Sequence, residues 1–285
     1  MVQKATRLGG RSRTGRPLGN TTRGTTNPNR MRRVDRWMTG SQGWRLRPET
    51  TGAPPIAVDL GFGASPATAV EFYERVRAIS PTARVFGIEI EPERVARGVA
   101  LHLEGLDFRL GGFEIPIESD ATVIRAFNVL RQYDESDVPG IWETMAGRLT
   151  EHGMIIEGTC DEIGRRSSWV TLTKGGPQTL SISLRFGAFT RPSDVAERLP
   201  KALIHRNISG ERIHDFLTAA DAAWLSAAPL ATFGNKQRWV SMCRALRESG
   251  WPICDSASRW RLGEVTVKWE AVAPRSGALA LAEPN

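Results

Sequence analysis

Two acids and two glycines carry most of the chemistry legible in this chain. The run Ile56-Ala-Val-Asp-Leu-Gly-Phe-Gly-Ala-Ser-Pro66 is apolar up to Asp59, turns on Gly61 and Gly63, and ends in Ser65-Pro66. Ile56 to Leu60 reads as a buried parallel strand. The glycines let the backbone turn tightly against a ligand, and Ser65 with Pro66 supplies an N-cap and a first helical position. A loop of this kind should face a nucleotide-like ligand. The run Ala83-Arg-Val-Phe-Gly-Ile-Glu89 also ends in an acid. A carboxylate there can accept both hydroxyls of a ribose, a bidentate task that a single hydroxyl or amide does less well. The plainer alternative is a solvated acid at a strand end. Glu91 and Glu93 flank Pro92 at the next helix start, where acids meet the positive end of the helix.

The residue that would be the third glycine decides which ligand. A dinucleotide fingerprint needs Gly or Ala where the helix packs on the strand, and this chain has Pro66, which has no N–H to offer. The pattern Val58-Asp-Leu-Gly-Phe-Gly-Ala-Ser65 instead resembles motif I of the class I S-adenosylmethionine-dependent methyltransferases. In that family the loop lies under the amino-acid part of the cofactor. The resemblance covers about residues 55–187. It implies that S-adenosyl-L-methionine is held by Asp59, Gly61, Phe62, Gly63 and Ser65 in the loop, by Glu89 on the ribose with Ile90 beside it, and by Gly112, Phe113 and Asn128. Asn128 follows the fourth strand, where the family has an Asn beside the transferable methyl. The chain departs from the pattern after its third strand, where Gly111-Gly112-Phe113 replaces the acid that often holds the adenine amino group. Backbone and Phe113 are left to hold the base.

The elements that must position these residues follow from period and spacing. A helix with apolar Ala69, Phe72, Tyr73, Val76 and Ile79 separates the first two strands. Further strands read at 106–110, 121–127 and 153–158. Ligands of open α/β sheets bind at the carboxyl edge, so Glu157, Asp161, Glu162 and Arg165 are the nearest polar groups for a substrate, or else plain solvated loop charges. Two alternating runs, 168–174 and 179–186, straddle Gly175-Gly176-Pro177-Gln178 and read as an antiparallel hairpin.

The net charge of +7 divides unevenly. Residues 1–34 hold nine Lys or Arg and no acid, leaving a body of net charge −2. The Gly-, Thr- and Arg-rich tail, up to about Thr26, should lack a fold of its own. It either is a solvated terminus or contacts phosphates. Asn27-Pro28 then starts a helix with Met31, Val34, Trp37 and Met38 on one face, which should dock on the body. Its Arg-Arg-x-Asp-Arg-Trp content resembles an actinobacterial group of uncharacterised methyltransferase-like proteins. Such a helix either lids the pocket or covers an apolar edge of the sheet.

Residues 192–252 read as helical runs, before a final strand over 264–272. Trp224, Trp239, Trp251, Trp260 and Trp269 lie in this region, as core or as aromatic walls for a ligand. His205 and His214 are too isolated to form a metal pair. Cys160, Cys243 and Cys254 form no metal cluster and leave one thiol over in any disulfide scheme. The expectation is a reducing compartment, no metal and a cytoplasmic protein, since no apolar stretch approaches the roughly 20 residues needed to span a bilayer.

The reading is therefore an α/β fold: a doubly wound, mostly parallel sheet of the class I methyltransferase type, with a terminal antiparallel hairpin and a mainly helical C-terminal extension. Its parts are a basic tail (1–26), a docking helix and linker (27–50), the cofactor domain (51–190) and the helical extension (191–285). The resemblance implies an enzyme that methylates a small-molecule acceptor. The alternatives are an RNA or other nucleic-acid methyltransferase using the tail, and a non-catalytic S-adenosylmethionine-binding or interaction module. No residue is singled out as the general base, and nothing in the sequence sets the oligomeric state.

Overall fold

The first strand, β1 (Ile56–Leu60), is buried on both faces and apolar but for Asp59, and the sheet grows outward from it. The structure is a computed structural model that describes residues 17–22 and 26–281. β1 pairs in parallel with β2 (Arg84–Glu89) on one side and β4 (Ala121–Phe127) on the other. β3 (Leu106–Leu110) continues beyond β2, and β5 (Leu149–Cys160) beyond β4. β6 (Arg166–Thr173), β7 (Gly176–Leu184) and β8 (Glu264–Lys268) then add antiparallel, giving one eight-stranded sheet of order β3-β2-β1-β4-β5-β6-β7-β8. The doubly wound, Rossmann-like sheet and its antiparallel end are as expected. The expected final strand is shorter, and it joins this same sheet.

The helices are α1 (Arg32–Ser41), α2 (Pro48–Thr51), α3 (Ala67–Ile79), α4 (Pro92–Val99) and α5 (Val138–Ala146), followed by α6 (Lys201–Ile204), α7 (Arg212–Ser226), α8 (Asn235–Glu248) and α9 (Ala257–Trp260). Residues 192–198, expected within a longer helix, form a 3-10 segment. Pro200, between that segment and α6, cannot donate to a continuing helix. On one face of the sheet Val34, Trp37 and Met38 of α1 and Phe72 and Val76 of α3 pack with Ala57, Val85 and Val123. On the other, Trp142 of α5, Phe216 and Trp224 of α7 and Trp239 of α8 pack with Val58, Ile124, Val170 and Leu180.

Trp224, Trp239, Trp260 and Trp269 are thus core residues, and Trp251 packs partly buried against them. None walls the cleft described below. Among the described residues no helix is long and apolar enough to cross a membrane.

α1 is tied to the sheet by charge as well as by packing. Arg125 on β4 is fully buried between Asp35 of α1 (2.5 Å) and Asp59 of β1 (2.7 Å), with its guanidinium 4.3 Å from the centre of the Phe72 ring. Arg75 of α3 reaches Asp35 at 2.8 Å. Burial alone would lower the pKa of Arg125, but the two carboxylates raise it above its ordinary value. Burial raises the pKa of Asp35 despite both arginines.

Candidate cofactor cleft

Strand order reverses between β1 and β4, and the carboxyl ends of those strands open the crevice where doubly wound sheets hold ligands. After Leu60 the chain turns through Gly61 (φ 71°) and Gly63 (φ 82°), a backbone that other residues rarely adopt. Gly61 N–H donates to Ile88 O at 2.7 Å. A Cβ on Gly61 would stand 2.7 Å from Val129 Cγ2, so the loop can pass beneath Val129 only as glycine.

Glu89 closes β2 inside this crevice, only 2 % exposed. Its Oε2 accepts the Gly63 N–H at 2.9 Å, its Oε1 accepts the Ile90 N–H at 2.9 Å, and Arg94 Nη1 lies 3.5 Å from Oε2. Two motifs 26 residues apart are thereby locked together. Gly111, Gly112, Phe113, Ile90, Val129 and Tyr133 complete the walls, with the Phe113 and Tyr133 rings edge to face at 5.3 Å.

Of the sequence-expected residues, Gly61, Glu89, Ile90, Gly112 and Phe113 line the cleft, and Gly63 joins through its N–H on Glu89. The others turn elsewhere. Asp59 is spent on Arg125 and on the Thr68 hydroxyl (3.5 Å). Phe62 is buried edge to face against Phe108 at 5.3 Å. Ser65 Oγ accepts the Ala67 N–H at 3.3 Å, and α3 starts one residue later than expected. Asn128 (φ 59°) bridges β4 to β5: its Oδ1 accepts the Cys160 N–H at 3.1 Å and its Nδ2 donates to Cys160 Sγ at 3.4 Å. The carboxyl-edge charges mostly build their own turn, with Asp161 accepting the N–H groups of Arg165 and Arg166. Glu157 is wholly buried and cannot meet a substrate there.

The residues that sequence reasoning missed are Val129, Tyr133 and a stretch of the tail. Residues 17–22 were expected to be unstructured, yet Leu18, Gly19, Asn20 and Thr22 line the cleft. Thr26 Oγ1 donates to Phe62 O at 2.9 Å, and Arg30 Nε donates to Asp161 O at 3.0 Å, so the chain crosses the mouth before α1 begins. Covering the carboxyl edge therefore falls to these residues, whereas α1 covers a face of the sheet. Residues 1–16 and 23–25, most of the basic tail, lie outside the described residues. Among the described residues no group of three His, Cys, Asp or Glu could hold a metal ion, and the three cysteines are free.

No family model matches the sequence, and no curated protein matches it. Solved structures resemble parts of it. A plantazolicin methyltransferase in complex with a substrate analogue and S-adenosylhomocysteine is 12% identical over 46% of this chain and 46% of its own, with a TM-score of 0.35. The magnesium protoporphyrin IX methyltransferase from Synechocystis with bound S-adenosylhomocysteine is 13% identical over 46% of this chain and 54% of its own, at 0.34. An enzyme described as catalysing a pericyclic reaction is 19% identical over 44% of this chain and 30% of its own, at 0.33. This chain thus spans about half the length or less of these proteins.

Proposed function

We propose that the chain is an S-adenosylmethionine-dependent methyltransferase acting on a small-molecule acceptor. The observation that carries this reading is Glu89, a buried carboxylate fixed to the Gly61–Gly63 loop at the switch point of the sheet and facing a slot walled by Ile90, Phe113 and Tyr133. The residues present fit an adenosyl group. Glu89 would accept ribose hydroxyls, the apolar pair Ile90 and Phe113 would flank the base, and the loop, with glycine at 61 and 63 and the Phe62 ring turned away onto Phe108, would admit the amino-acid part. Bound there, the sulfonium supplies an electrophilic methyl group. The chain's own work is then to orient the two reactants and exclude water, from which in-line displacements gain much of their rate. The acceptor would approach along the carboxyl edge near Asn128 and Cys160.

Asp59, Phe62, Ser65 and Asn128 would support this site indirectly, by shaping the loop and its strand ends. The absence of an acid directly after β3 fits the same picture, because the Phe113 amide, which donates to Leu18 O, can face the edge of a base once that contact opens, while Glu114 keeps the Gly112 amide. Isothermal titration of S-adenosylmethionine and S-adenosylhomocysteine into the full chain tests the reading, with NAD as control. Binding of both sulfur ligands, weakened at least tenfold by Glu89→Ala, supports it. Binding of NAD alone would overturn it.

A further inference from the structure

We propose that residues 17–22 form a strap that fills the adenine end of the cleft and must leave before a nucleoside ligand enters. The proposal rests on the adenosyl reading of the cleft. The strap is held through polar groups of the cleft, among them the Phe113 amide and the Tyr133 hydroxyl, which a base would otherwise meet. Phe113 N–H donates to Leu18 O at 3.0 Å, and Tyr133 Oη accepts the Asn20 N–H at 2.6 Å. Glu114 accepts the Leu18 N–H at 2.9 Å, Gln132 Nε2 donates to Asn20 O at 2.8 Å, and Arg94 Nη2 donates to Thr22 O at 2.8 Å.

Shape agrees with this bonding. Gly19 sits where a Cβ would be 3.0 Å from Tyr133 Oη and 3.6 Å from both Ile90 Cδ1 and Phe113 Cε2, which places its backbone between the walls of the slot. Gly112 lies so close beneath the strap that a Cβ there would be 1.9 Å from Leu18 O. With the strap in place the cavity is about 20 Å³. That is space for about one water molecule, so strap and base exclude each other.

Hydrogen bonds to backbone offset the ordering entropy of a short segment by only a small margin, which leaves the strap displaceable. The apparent affinity of the full chain is then the intrinsic affinity reduced by the fraction of molecules with the strap open.

Two variants of the full chain test this, each changing the strap and leaving the sheet and cleft walls intact. Gly19→Val adds a branched side chain at φ 143° against Tyr133, and Asn20→Pro removes the N–H that Tyr133 accepts. Two readouts are taken, S-adenosylhomocysteine affinity by titration and hydrogen exchange of the Asn20 and Phe113 amides, the latter for Phe113 alone in Asn20→Pro. In the wild type both amides should exchange slowly and the Asn20 amide should quicken on adding ligand, and the ligand-free variants should exchange fast and bind at least tenfold tighter. Equal or weaker affinity in both variants overturns the strap and leaves the adenosyl reading standing. No binding by any of the three chains, with the strap amides of the variants exchanging fast, overturns both.

Discussion

Glu157 is wholly buried on β5, and neither of its oxygens has a hydrogen-bond partner. Burial pushes its carboxyl up to about 8, offset in part by the Trp142 indole, which makes no hydrogen bond of ordinary geometry. It is neutral in the folded chain at pH 7 and ionised in the unfolded one, whose ordinary value is 4.5. Its contribution is complete below the unfolded value and is lost as the pH rises to about 8, on the order of 5 kcal/mol in all. Glu157→Gln should flatten that loss, seen as urea midpoints at pH 5 and pH 8.5 that lie closer together than in the wild type. Parallel pH profiles for the two proteins would show that the carboxyl is ionised in the fold. At the same scale, Gly61→Ala should weaken S-adenosylhomocysteine binding at least tenfold, because its methyl group would press on Val129. Unchanged affinity in a titration would place the ligand away from this loop.

The tie between α1 and the sheet belongs to the elements. Arg125 bridges the buried carboxylates of Asp35 and Asp59, so Arg125→Met leaves Asp59 without a cation in a dry site and Asp35 with Arg75 alone. The expected cost is about 3–5 kcal/mol, read as a lower urea midpoint, with Asp35→Asn milder because Arg125 keeps Asp59. Equal, small losses in both variants would mean that packing of Trp37 and Met38 alone docks the helix.

Much at this scale was legible in the sequence. The bounds of β1, β3 and β4, the Gly-x-Gly turn, Glu89 at the end of β2 and the docking face of α1 all follow from local period and turn chemistry. The fate of Asp59 was not, since its partner Arg125 lies 66 residues away and meets it only through the parallel register of β1 and β4. Leu18 and Asn20 were illegible for another reason: they enter the cleft through backbone groups, which leave no pattern of side chains, and the basic composition around them suggested an unstructured tail. Tyr133 had a signal, an aromatic shortly after the fourth strand, but no spacing rule assigned it a role.

For the whole molecule, the consequence of one continuous sheet is cooperativity. The C-terminal helices bury their tryptophans in the same core as β4, β6 and β7, and β8 covers the edge of β7. Thermal unfolding should therefore give one transition, coincident by far-ultraviolet circular dichroism and tryptophan fluorescence. Two separated transitions would make residues 191–285 an independent domain.

The central claim is that the crevice between β1 and β4 holds an adenosyl ligand on Glu89. A crystal structure of the full chain grown with S-adenosylhomocysteine tests it most directly. The account predicts ribose hydroxyls within hydrogen-bond distance of the Glu89 carboxylate and the base between Ile90 and Phe113. A ligand bound elsewhere on the chain, with Glu89 still holding only backbone N–H groups and Arg94, would contradict it.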